Sequence, residues 1–236
     1  GTTNTVIATI SLGASSFTFG IDVNSNTNTI YATNAAPGTL SVIDGTTNTV
    51  IATIPVGSNP QGVTVNQITN TVYVTNLDQT SPSTLSVIDG TTNTVIATIP
   101  LGINPFGIAV NPTTNIVYAG SQGSNLVHVI DGTTNTVSST LNVASGPRGI
   151  AVNPITDTIY VANEAADLLT VISSTPSDVT PPTLSIPSDV TLEAPADTST
   201  SNTGTATATD DTDPNPVVTF SDSSVPGAGQ TVEVIT

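Results

Sequence analysis

The word GTTNTVIATI occupies Gly1–Ile10, Gly45–Ile54 and Gly90–Ile99, and a worn copy, GTTNTVSSTL, occupies Gly132–Leu141. The copies begin 44, 45 and 42 residues apart. That spacing is the length of a four-stranded propeller blade with its turns. Outward from the second copy, four short runs suit strands: Asn48–Ile54 (NTVIATI), Gln61–Asn66 (QGVTVN), Thr71–Asn76 (TVYVTN) and Thr84–Asp89 (TLSVID). Their Val, Ile and Thr side chains branch at Cβ, which fits a pleated sheet better than a helix. Nowhere do apolar residues recur with a helical period over the length a helix needs. Gly, Asn, Asp and Pro fill the breaks and supply bent or left-handed backbone. Ile43–Val50 (IDGTTNTV) reads as a hairpin with Asp44-Gly45 as its turn, and Asn111–Asn115 (NPTTN) links the next pair in the same way. Stacked blades bury both faces of their strands, so Val50, Ile51, Val63, Val65, Val72, Val74, Val87 and their equivalents are the expected core.

Composition narrows the function. The 236 residues carry 17 acids against a single Arg and no Lys, a net charge of −16. Phosphate backbones are bound by clustered Lys and Arg, so nucleic acid is excluded as a partner. Adsorption to an anionic membrane fails for the same reason. No apolar run is long enough to cross a bilayer, so no membrane insertion is expected. Cys is absent, which removes disulfides and thiolate chemistry.

Catalysis has little to work with. His128, in LVHVI, is the single imidazole, and a strand side chain is a plainer reading of it than a general base. Asp44, Asp89 and Asp131 recur at one hairpin position, which points to carboxylates bonding turn N–H groups rather than to a ring of catalytic acids. Arg148 replaces Gln61 and Phe106 of the equivalent strand starts, so the repeat does not require it. An ion pair with an acid is its expected role, and an anion site the sharper alternative. The chain is expected to be no enzyme.

Certain units match one another as whole blades. Ile30–Asn34 (IYATN), Val72–Asn76 (VYVTN), Ile116–Gly120 (IVYAG) and Ile159–Asn163 (IYVAN) resemble the YVTN β-propeller repeat. So do Asn59–Asn66 (NPQGVTVN), Asn104–Pro112 (NPFGIAVNP), Gly146–Pro154 (GPRGIAVNP), and TLSVIDGTTNTVIATI at Thr39–Ile54 and Thr84–Ile99. The resemblance runs over residues 1–173. It implies a four-bladed β-propeller over residues 1–174, fewer blades than relatives usually carry, and an archaeal or bacterial surface or secreted setting. It also implies an order within each blade: the PxGIAVN strand innermost, then VYVTN, then TLSVID, with NTVIATI outermost. On that order the chain opens with an outer strand made of Asn4, Thr5, Val6, Ile7, Ala8, Thr9 and Ile10. The last set, Arg148–Asn153, Thr158–Asn163 and Leu168–Ser173, has no outer strand after it. Leu168, Leu169, Thr170, Val171 and Ile172 then form an edge, and unpaired edges are templates for pairing. Either Asn4–Ile10 closes its own ring, or it adds to the last blade of another molecule.

Composition changes at residues 175–182, a Pro- and Ser-rich connector. Beyond it, Thr183–Pro187, Val190–Glu193, Gly204–Thr209, Val217–Phe220 and Thr231–Ile235 read as strands. Asp178–Pro195 (DVTPPTLSIPSDVTLEAP) and Ala206–Asp222 (ATATDDTDPNPVVTFSD) resemble the hyalin-repeat (HYR) module. The resemblance implies an immunoglobulin-like extracellular β-sandwich over residues 183–236, one that lacks its last strands. Asp210, Asp211 and Asp213 cluster in TDDTDPNP. A solvated acidic turn is the plainer reading, and weak calcium binding the alternative, because hard cations take several oxygen ligands from a loop. No other cofactor is expected.

The expected function is that of an extracellular or cell-surface structural and adhesive protein whose partner is itself. It would assemble head to tail, as a filament or surface-layer subunit, through β-strand complementation. The alternative is a monomeric binding module holding a carbohydrate or protein ligand on the propeller's loop face. Only four Tyr, four Phe and no Trp are available to stack on a sugar, which weakens the carbohydrate version.

Overall fold

The computed structural model of the chain describes residues 4–13, 16–78, 82–173, 183–185, 207–209, 217–221 and 231–235. The chain divides into two compact units, Gly1–Thr175 and Pro176–Thr236. Among the described residues the fold is all-β, apart from one 3-10 turn at Gln122–Ser124.

The first unit is a succession of antiparallel sheets. β1 (Thr18–Asn24), β2 (Thr29–Asn34), β3 (Thr39–Asp44) and β4 (Thr49–Pro55) make the first, in that spatial order. β5 (Pro60–Asn66), β6 (Thr71–Asn76), β7 (Thr84–Asp89) and β8 (Thr94–Pro100) make the second. β9 (Pro105–Asn111), β10 (Ile116–Ser121), β11 (Leu126–Asp131) and β12 (Thr136–Asn142) make the third. The fourth holds three strands, β13 (Pro147–Asn153), β14 (Thr158–Asn163) and β15 (Leu168–Ser173). Registers repeat from sheet to sheet: Tyr31 opposes Val42, Tyr73 opposes Val87, Tyr118 opposes Val129 and Tyr160 opposes Val171.

Three expectations are corrected. First, the hairpin after β3 does not pivot on Asp44-Gly45. It is a four-residue turn whose left-handed residue is Asn48, with φ of 56°. Asn tolerates that backbone because its short amide bonds locally. Gly45 is there for room, since a Cβ would lie 2.5 Å from Asn28 Oδ1. Second, Asn4–Ile10 is not a strand among the described residues, and its Val6 and Ile7 are 89% and 87% exposed. A segment with strand propensity forms no ladder until an edge is offered to it. Third, Val63, Val65, Val72, Val74 and Val87 are buried, but Val50 and Ile51 are 37% and 57% exposed. β4 is the outer strand, and its register slips between the partners of Val42 and Ile43, so Ile51 is an extra bulged residue with nothing opposite it.

The sheets pack one on the next through their first strands, β1 on β5, β5 on β9 and β9 on β13; no comparable packing joins β13 to β1. Apolar clusters straddle these junctions. Tyr31, Leu40, Val42 and Ile54 meet Val63, Val65, Val72, Val74 and Ile88. Tyr73, Leu85, Val87 and Ile99 meet Val117, Ala119 and Ile130. Tyr118 and Val127 meet Ile159 and Val161. Each Val, Leu or Ile among them stabilises the unit by roughly 1.5–3 kcal/mol when taken from water. An amide ladder runs through the same junctions: Asn24 Nδ2 donates to Asn70 Oδ1 at 2.7 Å, Asn66 Nδ2 to Asn115 Oδ1 at 2.7 Å, and Asn111 Nδ2 to Asp157 Oδ1 at 2.6 Å. Asn24, Asn66 and Asn111 are wholly buried.

In the second unit β16 (Thr183–Ser185) pairs with β17 (Thr207–Thr209), and β18 (Val217–Ser221) with β19 (Thr231–Ile235), both antiparallel. The expected strand Val190–Glu193 lies outside the described residues.

The amide ladder gives a direct test. Asn66→Ala should lower unfolding stability by about 1–3 kcal/mol in urea titration, because it strands a partner inside a dry junction. Asn153→Ala, at the equivalent place on the last sheet but only half-buried, should cost markedly less. Equal losses would show that the ladder does not pin the sheets.

Candidate functional site

β15 is where the pattern of covered edges stops. In the first three sheets the third strand is roofed by the fourth: Leu40 opposes Ile54, Leu85 opposes Ile99 and Val127 opposes Leu141. Leu40, Leu85 and Val127 have no exposed surface. Their equivalent on β15, Leu169, is 61% exposed, and its neighbours Leu168 and Val171 are 59% and 57% exposed. Thr170 and Ile172 are half-buried, with Thr170 Oγ1 accepting from Asn163 Nδ2 at 2.9 Å. An open groove of about 410 Å³ runs beside this edge, lined by Arg148, Gly149, Ala162, Asn163, Glu164, Asp167, Leu168 and Leu169.

The other half of the expected exchange is equally bare. Asn4, Thr5, Val6, Ile7, Ala8 and Thr9 are exposed and Ile10 is half-buried. No ladder joins them to β15 or to any other strand among the described residues.

The remaining candidates take structural roles. Arg148 Nη1 lies 2.7 Å from a Glu164 carboxylate oxygen, and its guanidinium carbon sits 5.3 Å from the Phe106 ring centre. Both ion-pair partners are more than half exposed, so the pair contributes at most about 1 kcal/mol. Asp44 Oδ1 accepts from Thr46 N and Thr47 N, Asp89 Oδ1 from Thr91 N and Thr92 N, and Asp131 Oδ1 from Thr133 N and Thr134 N. Those turn amides, led by Thr46, Thr91 and Thr133, hold the three carboxyls below the usual range. Burial pushes the Tyr73 phenol up to about 12, with the Asp131 charge adding to it. His128 Nε2 accepts from Gly102 N at 3.1 Å, where Asn76 Oδ1 and Asn125 Oδ1 serve Gly57 N and Gly146 N. Asp210, Asp211 and Asp213 lie outside the described residues. Among the described residues no three or more His, Asp or Glu side chains converge as a metal site. A second depression, of about 640 Å³, is lined by Phe17, Phe19, Pro37, Pro55, Val56 and Asn59 among others, with no titratable side chain.

Sequence reasoning passed over the groups that join one sheet to the next. Gly20, Gly62, Gly107 and Gly149, with Asn24, Asn66, Asn111 and Asn153, stand at one position each of all four units. A strand that keeps a Gly and an Asn through every repeat signals a close approach and a buried amide contact.

No family model and no curated protein matches the chain. Among solved structures it is similar to hydrazine synthase of Kuenenia stuttgartiensis, with a TM-score of 0.63 at 20% identity, over 72% of this chain and 49% of that chain. The likeness is one of fold, and this chain spans about half the length of that one.

His128 supplies a pH test. Burial lowers its pKa, so the folded state takes up the proton less readily than the unfolded chain. The unfolded chain takes up the proton first, and stability falls as pH drops below the ordinary imidazole value of about 6.5. The three turn carboxylates respond only lower, through and below their own ordinary range near 3.8. Between pH 7.5 and 5.5 the urea midpoint of the wild type should therefore fall, and that of His128→Gln should stay level. Parallel falls in both proteins would remove His128 as the cause.

Proposed function

We propose that the four sheets are propeller blades of the YVTN type, left open between the first and the last, and that the chain is an extracellular structural protein that assembles head to tail by β-strand complementation. The second unit is then a hyalin-repeat-like immunoglobulin module carried along the assembly. One observation carries this reading: among the described residues β15 is an uncovered edge with Leu168, Leu169 and Val171 in solvent, while Asn4–Ile10 repeats the word of the covering strands and pairs with none of them. Edges of this kind recruit an extended segment through main-chain hydrogen bonds. Donor and acceptor are different surfaces, so the contact propagates unless the rotation closes a ring.

The internal sheets supply the register. Ile54 opposes Leu40, Ala52 opposes Val42, Val50 opposes Ile43 and Thr49 opposes Asp44. By the same pairing Ile10 of a donor covers Leu169, Thr9 faces Thr170, Ala8 faces Val171, Val6 faces Ile172 and Thr5 faces Ser173. Ile7 becomes the bulged residue, as Ile51 and Ile96 are in β4 and β8.

Light scattering and negative-stain microscopy of the 236-residue chain should show linear assemblies that are lost on deletion of residues 1–10. A peptide spanning residues 4–10 should shorten them by occupying β15. Assemblies that survive the deletion unchanged would rule out this strand as the linker, and a wild-type chain that stays monomeric at high concentration would rule out assembly.

A further inference from the structure

We infer that a second copy of the chain docks its first sheet face-on against the last sheet, so that the donated strand arrives with a whole sheet interface and not alone. The inference deepens the strand-complementation reading and rests on it, since it names what must pack beside the exchanged strand.

The three internal junctions define the rules of contact, and the two ends of the stack carry the unmatched halves. The first rule is close backbone approach. A Cβ at Gly20 would lie 2.5 Å from the Gln61 carbonyl oxygen, and one at Gly62 or Gly107 closer still to those of Phe106 and Arg148. Gly149, the fourth in this series, meets no neighbouring sheet: the nearest group to its Cβ position is Ala162 Cβ, 3.6 Å away on its own sheet. The second rule is the amide ladder. Asn153 is the one Asn of its series that donates to no neighbouring sheet, and among the described residues Asn28 Oδ1, at the position of the acceptors Asn70 and Asn115, receives nothing. The third rule is a tyrosine laid over a turn glycine. A Cβ at Gly90 or Gly132 would strike the Tyr31 or Tyr73 hydroxyl, at 2.9 and 2.7 Å, whereas a Cβ at Gly45 would meet only Asn28. Tyr31 and Tyr73 are wholly buried, while Tyr160 is 37% exposed.

Apolar exposure completes the match. On the first sheet Ile21 and Val23 are 70% and 43% exposed, where their equivalents Val63 and Val65 are 8% and 4%. On the last sheet Leu169 and Val171 are bare, where Leu40 and Val42 are buried against that same pair. Within one copy both ends are open at once, so they do not cover each other. The chain order agrees. Ile54 precedes Pro60, Ile99 precedes Pro105 and Leu141 precedes Pro147 by six residues, and Ile10 precedes Thr18 by eight. A donor strand seated on β15 therefore delivers its own β1 to the face of β13, as every outer strand delivers the next sheet.

Two substitutions that are silent in the single chain read the docking. The chain has no Cys, so chains bearing Ile21→Cys and chains bearing Val171→Cys can be mixed with a short bismaleimide. Crosslinked dimer is expected in the mixture and in neither protein alone, and Gly149→Val is expected to reduce it about tenfold or more. The melting temperature of dilute Gly149→Val chain should match wild type, because its Cβ meets only Ala162, at an ordinary contact distance of 3.6 Å. Deletion of residues 1–10 reports the strand, and Gly149→Val, on a strand two removed from the β15 edge, reports the face. Filaments that form normally with Gly149→Val and give no crosslink would overturn the face while leaving strand exchange standing. Crosslinking within one chain carrying both Cys substitutions at high dilution would overturn the second copy in favour of ring closure.

Discussion

Gly20, Gly62 and Gly107 let the backbone of one sheet lie against the backbone of the next, closer than any Cβ permits. The rest of the first unit follows from that approach. With backbones so near, the Thr33 and Thr75 hydroxyls reach across to the carbonyls of Gln61 and Phe106, at 3.0 and 3.1 Å. The Asn side chains at the far end of the same strands find acceptors on the following sheet. Between these polar pins the Val, Leu and Ile faces have no choice but to interdigitate, and a well-packed dry seam fixes the sheet order more firmly than any single bond. Asn24, Asn66 and Asn111 can be polar and still buried because each meets an acceptor at a position the repeat has set.

The repeat also explains how much was legible in the sequence. GTTNTVIATI, recurring at blade length, placed four sheets and nearly every strand, since a short strand bounded by turn residues is a local feature. Side-chain direction was harder. Val50 and Ile51 look like core because they are apolar, but a strand on the outside of a sheet touches only one neighbour, and a bulge turns Ile51 outward. The pivot of the hairpin was misread for a related reason. Asp-Gly is a strong turn signal, yet Asn48 takes the left-handed backbone, and Gly45 is demanded by the Asn28 side chain of an adjacent hairpin. That demand is a tertiary contact, invisible to a reading of nearest neighbours along the chain.

The candidate site was legible as an imbalance and not as a chemistry. Counting GTTNTV words against repeats exposed β15 and Asn4–Ile10, although neither carries a reactive group. What counting missed was that the faces beside them are as unmatched as the edge. Exposure reveals this, because Leu169 differs from Leu85 only in what lies next to it. Ile21, Val23, Leu169, Val171, Gly149 and Asn153 are all uncharged, while Glu164 and Asp167 line the groove beside Gly149 and Leu169. Repulsion between exposed charges is screened at physiological salt within about 8 Å.

Identical outer strands raise a problem of specificity, because any NTVIATI could in principle pair with any third strand. The turns resolve it. Asp44, Asp89 and Asp131 each end a third strand and bond the N–H groups of the turn that follows, bringing the chain's own next strand back onto the edge. At the end of β15 the equivalent residue is Ser173, and Ser174-Thr175-Pro176-Ser177 follows instead of Gly-Thr-Thr-Asn. A serine hydroxyl bonds turn amides more weakly than a carboxylate, and Pro176 has no N–H to offer. The sequence thus drops the word DGTTN after this strand while keeping its edge word, LLTVIS, close to TLSVID. The three internal edges are filled by covalently tethered strands whose effective concentration no free segment can match. Among the described residues only β15 has no such strand beside it.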